Sequence, residues 1–392
     1  MKIVMLTDLY EERLQFQDNL LGKYYVKHDH EVTIIAASVE NSIDYYADRY
    51  DRGGPRREYW DGAVKVIKLP YSLNILNRLR KFGGVRAILE REAPNLIFSH
   101  DIHLNLSDAV WYKRRHPGCR IIMDCHADYS NSAKNWLSLN ILHKVIRKRF
   151  LHWHKRYIDR FFPVVPASAA FLNEVYGIPH DEMELLPLGA DTDLAKKTME
   201  EQAGAGIRRK LGIPADTIVV FTGGKFMPVK KTHLLVEALV QLDDPRLHLL
   251  LVGDAWEGQL EYKRQLLYLA AQNPRVHFIG WVDGSDVYRY MDAADFAVFP
   301  ASQSILWQQA LSMGLPLIVG AGTALGNQDP SYMNLHGNMV ILAFEDIRRD
   351  VIAREILRMS SDRAKLRKLQ MAALRTADEL LNYHSIVQKT LQ

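Results

Sequence analysis

The residues best suited to chemistry sit in "FTGGKFMPVKK", positions 221–231, where two glycines and three lysines follow a β-branched run and precede an apolar helical one. A glycine turn at a strand end lets backbone N–H groups face an anion at the start of the next helix. Lys225 and Lys230 add point charges that demand no planar geometry. Gly223, Gly224, Lys225 and Lys230 therefore form a candidate phosphate-binding loop. It is not a Walker loop, because Val229 stands where the second glycine should precede the lysine. It is not a dinucleotide fingerprint either. The first strand-to-helix turn, "TDLYEERLQFQDNLLG", lacks the glycines that would admit a pyrophosphate, and "VFTGG" and "LVGDAWEG" have the wrong spacing.

Other candidates lie on loops that follow apolar runs, where binding and catalytic residues concentrate. His126 and Asp128 come just after "RIIMDC" in "DCHADYSNSA". His100, Asp101 and His103 in "SHDIH" have metal-ligating side chains, but no helical i, i+4 histidine pair and no HExxH motif accompany them. Gln17, Asp18 and Asn19 occupy the first strand-to-helix turn, where Asp18 or Asn19 would serve as a helix N-cap. "DTD" at 191–193 reads as part of a hinge, not as a chelating pair.

These loops need a scaffold, and the pattern supplies one. "KIVMLT", "EVTIIAAS", "AVKVIKL", "LIFSH" and "RIIMDCH" are short apolar strands separated by helix-length segments. The alternation lapses near 186–206 and restarts with "TIVVFTG", "HLLLVGD", "VHFIGW", "FAVFP" and "PLIVGAG". Apolar strands interleaved with helices imply parallel sheets covered on both faces. Two such series predict two doubly wound α/β domains, with ligands at the carboxyl ends of the strands.

Composition agrees. The chain has 392 residues, 48% hydrophobic and 24% charged, which suits two soluble globular domains. A net charge of +4 predicts no nucleic-acid partner. Cys119 and Cys125 sit at opposite ends of one expected strand, roughly 20 Å apart, too far to bridge. Their use points to a reducing cytoplasm. "MKIVMLTD" is too short in apolar residues for a secretory leader, and no run approaches the length of a bilayer span.

Several segments in order carry a family resemblance. "PLGADTDL", "GGKFMPVKK", "LLLVGD", "FIGWV", "ADFAVFPA" and "QALSMGLPLIV" resemble the interdomain turn, phosphate loop and following motifs of the retaining GT-B glycosyltransferases, family four, the group around glycogen synthases and bacterial polysaccharide transferases. "HDHEVTIIA" is similar to that family's early "GHEV" strand. The resemblance implies a GT-B fold of two facing Rossmann-like domains with an interdomain cleft. It places an acceptor-side domain over 1–188, a nucleotide-sugar domain over 189–375, and a tail over 376–392 whose helix crosses back to the first domain.

Carried over by position, Lys225 and Lys230 fall on the family's phosphate-binding arginine and lysine, and Trp281 on its nucleobase contact. His126 falls on the loop beside the donor sugar, Gly223 and Gly224 line the donor phosphates, and Gln17, Asp18, Asn19 and Asp128 are placed toward acceptor hydroxyls. The "SHDIH" loop is metal-free in the family and is read as crevice lining. The chain departs at the paired glutamates: Gln309 holds the second position and Ala301 the first, with Gln303 and Ser304 the nearest polar residues. A glutamine still hydrogen-bonds a ribose hydroxyl.

The implied reaction is metal-independent, retaining transfer of a sugar from a nucleotide diphosphate to a glycan or lipid-linked acceptor, with no cofactor. A silent homologue that binds nucleotide sugar or glycan, and a nucleotide-sugar epimerase, remain open alternatives. Residues 141–161, with seven lysines and arginines against one acid, put Leu142, Ile146, Phe150, Trp153, Tyr157 and Phe161 on one helical stripe. Such a helix either packs on a core or meets an anionic membrane surface, here the inner face.

Overall fold

The computed structural model describes all residues except 13, 40–44, 46–52, 256, 302 and 323–328. The chain divides into two compact units, Met1–Leu188 with Ile386–Gln392, and Gly189–Ser385.

The first unit is built on a seven-stranded sheet of β1 (Lys2–Leu6), β2 (Glu31–Ala37), β3 (Arg57–Asp61), β4 (Val64–Leu69), β7 (Leu96–Ser99), β8 (Arg120–Cys125) and β9 (Arg160–Pro163). The spatial order is β3-β4-β2-β1-β7-β8-β9. Every pairing is parallel except β3 with β4. The order reverses between β1 and β7, so the loops after these two strands open side by side. β5 (Tyr71–Ile75) and β6 (Leu79–Phe82) form a separate hairpin.

The second unit holds an all-parallel sheet of β10 (Ile218–Lys225), β11 (Leu247–Asp254), β12 (Val276–Gly280), β13 (Phe296–Phe299), β14 (Leu317–Gly320) and β15 (Met339–Leu342), in the order β12-β11-β10-β13-β14-β15. The central strands are mostly apolar because both faces are covered, with His248 in β11 and His277 in edge strand β12 as exceptions. Val219, Phe221 and Leu250 belong to one core while Val220, Leu249 and Leu251 belong to the other. The reversal falls between β10 and β13.

The last helix, Tyr383–Leu391, ends against the first unit's own elements. Tyr25 and Thr390 share a hydrogen bond of 2.5 Å, and Arg120 Nη1 donates to the Leu391 carbonyl at 2.7 Å. Both cysteines are buried and free. Among the described residues no helix is long and apolar enough to cross a membrane.

Two local expectations fail. The helix Gln17–Lys27 starts at Phe16, and no side chain caps it. Asp18 is turned inward to accept from Thr7 Oγ1 at 2.9 Å, and Asn19 Nδ2 donates to the Glu11 carbonyl at 3.0 Å. The stripe over 141–161 is also divided. Residues Ser138–Arg147 wind with i→i+5 bonds, which need more residues per turn than the 3.6 assumed for the stripe. Phe150 and Tyr157 pack on the core, Ile146 and Trp153 are exposed, and Phe161 belongs to β9.

Candidate functional site

In the second unit the candidate phosphate loop leaves β10 at the sheet's reversal point. Gly223, Gly224 and Gly253 let the ends of β10 and β11 close backbone to backbone. A Cβ on Gly253 would lie 1.9 Å from the Gly224 carbonyl oxygen, and one on Gly223 would lie 2.5 Å from that of Val252. The space above Gly224 is filled by side chains from two loops: its Cβ position is 3.3 Å from Lys230 Nζ and 3.8 Å from Ser304 Oγ. The loops after β10 and β13 therefore converge on one point.

Lys225 and Lys230 sense each other there. Burial, and then the neighbouring Lys225 charge, push the Lys230 ammonium down to about 8. A half-buried cation beside a second cation is a candidate anion site. The third lysine of the motif is spent elsewhere, with Lys231 Nζ 4.5 Å above the Phe344 ring.

Gln309 is on the helix Leu306–Ser312 that follows the β13 loop. It is buried, and its Oε1 finds no hydrogen-bond partner among the described residues; neither does Trp307 Nε1. Orphaned buried polar atoms are uncommon and ask for an explanation, of which a ligand is one. Gln303 donates from Nε2 to Tyr332 Oη at 3.2 Å, and Ser304 Oγ accepts from the Leu306 N–H at 3.4 Å. Ala301, buried, offers no polar group. Trp281 follows β12, two strands from β13's partner β10, and is 57% exposed.

The first unit brings together a cluster that the sequence reading only partly named. His100 follows β7, Asp124 lies in β8, His126 follows β8, and Asp18 comes from the first turn of the helix Gln17–Lys27 that follows β1. His100 Nδ1 is 3.0 Å from Asp124 Oδ2 and 3.4 Å from Asp18 Oδ1, while His126 Nε2 lies 3.1 Å from the same Asp124 oxygen. The two imidazoles are 4.4 Å apart.

Burial alone would lower the His100 pKa, but the Asp124 and Asp18 carboxylates overcome it and push it up to about 10. Burial would raise Asp124, yet His100 and His126 hold it well below the carboxylate range. Asp18 is raised by burial, against the pull of His100. The result is a buried ion-pair relay that fixes the His126 ring from behind.

Ligating atoms of His100, Asp124 and His126 lie within 4.8 Å of one another, close enough to hold a metal ion. Ligation would need a neutral His100, whereas the Asp124 and Asp18 carboxylates favour its charged form.

The other named residues take separate places. Asp128 Oδ1 accepts from the Ser130 and Asn131 N–H groups and from Ser130 Oγ, so that oxygen shapes its own turn. Gln17 is buried with both amide atoms unpartnered among the described residues. His103 is buried beside Phe82, where burial lowers its pKa, and it stands outside the relay. Asp101 donates its N–H to Asp124 Oδ1 at 2.8 Å, from a backbone with φ of 58°. Asp191 caps the helix Thr192–Glu200, and Asp193 meets His384 at 3.1 Å, so "DTD" is structural. Asp124 was missed, although a carboxylate inside "RIIMDC" is a signal, because a charge in an apolar strand needs a partner.

Comparison with known proteins adds ancestry to this geometry. The family model described as Glycosyltransferase Family 4 matches residues 20–194, and that of Glycosyl transferases group 1 matches 216–362. The chain belongs to the GT-B glycosyltransferases of family four. It is similar to D-inositol 3-phosphate glycosyltransferase of Geodermatophilus obscurus, 30% identical over 42% of this chain and 38% of the relative. Lipopolysaccharide core biosynthesis glycosyltransferase LpsE of Rhizobium meliloti is 34% identical over 28% of this chain and 32% of its own. The match thus spans less than two fifths of either curated relative.

Among solved structures, sucrose-phosphate synthase from Thermosynechococcus elongatus superposes with a TM-score of 0.68 at 18% identity, covering 100% of this chain and 98% of the other. Anabaena HepE in complex with UDP gives 0.69 at 18% identity, with the same coverage of both chains. These likenesses establish the GT-B fold, with parallel sheets in two domains.

Proposed function

We propose that this GT-B chain transfers a sugar from a nucleotide-diphosphate donor to a glycan or lipid-linked acceptor, with retention and without a metal. The observation that carries the reading is the Lys225–Lys230 pair over the glycine-closed end of β10, with the Lys230 ammonium destabilised until an anion meets it. UDP is the first donor nucleotide to test, because fold neighbours were solved with UDP or its glucose conjugates.

In this reading the two lysines neutralise charge that builds on the diphosphate as the glycosidic bond breaks. The leaving phosphate oxygen takes the acceptor's proton, so no protein carboxylate attacks the sugar. Gln309 Oε1 accepts from a ribose hydroxyl, and His126, held by Asp124, meets the donor sugar. Gln17 and Asn19 face the acceptor. The product enters polysaccharide or glycoconjugate synthesis at the cytoplasmic face, where the exposed part of residues 141–156 meets an anionic membrane.

The test is a panel of UDP-, GDP- and ADP-sugars with purified protein, product anomers being read by NMR. Retained configuration in a new glycoside, lost in Lys230→Met, supports the proposal. Absence of nucleotide binding across the panel refutes it. One observation favours a silent homologue: Ala301 is buried and apolar where the family places a sugar-contacting glutamate. Tight donor binding without transfer or hydrolysis would select that reading, and an altered sugar without any acceptor would select an epimerase.

A further inference from the structure

We infer that the tip of the β5–β6 hairpin and the exposed face of the helix beside it form one docking surface for an anionic lipid bilayer. This deepens the membrane role proposed for residues 141–156 and is independent of the transfer chemistry.

The hairpin turn is unusual. Ile75 pairs with Leu79, so residues 76–78 connect the strands, and the Arg78 N–H donates to the Ile75 carbonyl at 3.0 Å across Leu76 and Asn77. Both have positive φ, 52° and 53°. Positive φ is normally left to Gly, Asn or Asp, and a bulky residue such as Leu76 there is a steric outlier. Leu76 is also 88% exposed, so no burial within the fold offsets its strain. Leu73 and Ile75, two residues apart and therefore on one face of β5, are exposed as well. Backbone strain of this kind persists at functional sites.

The neighbouring helix presents a matching surface. Leu137, Ile141 and Val145 recur every four residues, and all are exposed. Trp136 is exposed too, of a residue type that settles at lipid headgroups. Arg147 Nη2 donates to the Arg78 carbonyl at 3.0 Å, which ties this helix to the hairpin turn. A cavity lined by Arg78 and Leu79 on one side and Ile146 and Arg147 on the other joins the two elements.

Charge selects the occupant. Residues 134–156 carry seven lysines and arginines and no acid, and the hairpin turn adds Arg78, whereas Arg80 and Lys81 are already met by Asp8 at 2.6 Å and Asp108 at 3.4 Å. A second copy docked on the same face would set cation against cation. Anionic phospholipid offers the opposite charge and an apolar interior for the leucine and tryptophan side chains.

The experiment is flotation of the full chain with vesicles of phosphatidylcholine alone, and of phosphatidylcholine and phosphatidylglycerol in equal parts. Binding is expected to the anionic vesicles only. Leu76→Asp and Ile141→Asp should each weaken it roughly tenfold, and the double change Lys144→Gln, Lys148→Gln roughly thirtyfold. Leu76→Gly separates binding from folding: glycine suits positive φ, so Tm should hold or rise while vesicle binding falls.

Equal binding to neutral vesicles, no binding to either, or undiminished binding by Leu76→Gly would overturn the inference. So would dimerisation abolished by Leu76→Asp in a protein that ignores vesicles, which would assign the face to a second copy. UDP affinity measured on the same samples reports separately on the donor site.

Discussion

Donor binding should weaken about tenfold for each pH unit above the Lys230 midpoint. Burial first, and Lys225 second, lower that ammonium from 10.5 to about 8. Only the charged form can meet a phosphate oxygen as an ion pair, so the apparent Kd scales with one plus the ratio of neutral to charged lysine. That factor is close to one near pH 7 and roughly eleven near pH 9, a loss of about 1.4 kcal/mol. An unperturbed lysine titrates near 10.4 and would leave the affinity almost flat over the same interval.

Calorimetry with UDP in buffers of different ionisation heat measures both quantities, since the complex must take up a proton as pH rises. The nucleotide's own terminal phosphate titrates near 6 and stays outside the window. Lys225→Met removes the repulsive neighbour and should move the midpoint upward, while Lys230→Met should flatten the profile and weaken binding at neutral pH. A wild-type affinity constant from about pH 7 to about pH 9, or an unchanged slope in Lys230→Met, would refute the anion-site reasoning.

Thermal melts are the wrong assay, and the signs show why. With its folded pKa lowered, Lys230 binds fewer protons than the unfolded chain between about 8 and 10.5, so its contribution to stability rises with pH there. His100, raised from 6.5 to about 10, stabilises fully below 6.5 and loses that contribution as pH climbs to about 10. The two trends oppose each other where the windows overlap.

Three further outcomes follow from the same geometry. Asp124→Asn removes the principal counter-charge of His100, and should lower stability by about 3–5 kcal/mol and bring the His100 NMR titration down from about 10 toward neutrality; an unmoved titration would discount the relay. Gly253→Ala must place a Cβ 1.9 Å from the Gly224 carbonyl oxygen, so urea unfolding should show a loss of about 3 kcal/mol or more, and a neutral result would mean β10 and β11 separate easily. Gln309→Ala should weaken UDP binding by up to about tenfold, more than Gln309→Glu, which keeps the acceptor oxygen; equal affinities in all three proteins would remove Gln309 from the site.

How far the sequence could be read depended on how local each signal was. Buried parallel strands such as "IVML" and "IVVF" are runs of consecutive apolar residues, and they stand out without knowledge of their partners. β3, "REYWD", escaped because it is an antiparallel edge strand whose exposed residues break no helical pattern. β9 escaped because Phe161 continues a helical spacing by coincidence, although the chain has already turned into the sheet. The lysine loop was legible for the same reason as the strands, since glycines, strand end and lysines are contiguous.

The relay was not, because Asp18, His100 and Asp124 come from a helix start, a loop and a strand that only the order β1-β7-β8 sets side by side. Yet one half of that contact is written locally. A carboxylate within an apolar strand cannot stand alone, so Asp124 demands a cation from a neighbouring strand end. In a doubly wound sheet the candidates are few, and "SHDIH" on the adjacent β7 was the nearest. The same pull explains the lost N-cap: Asp18 reaches Thr7 and His100 inside the unit, leaving the first turn of its helix uncapped by any side chain.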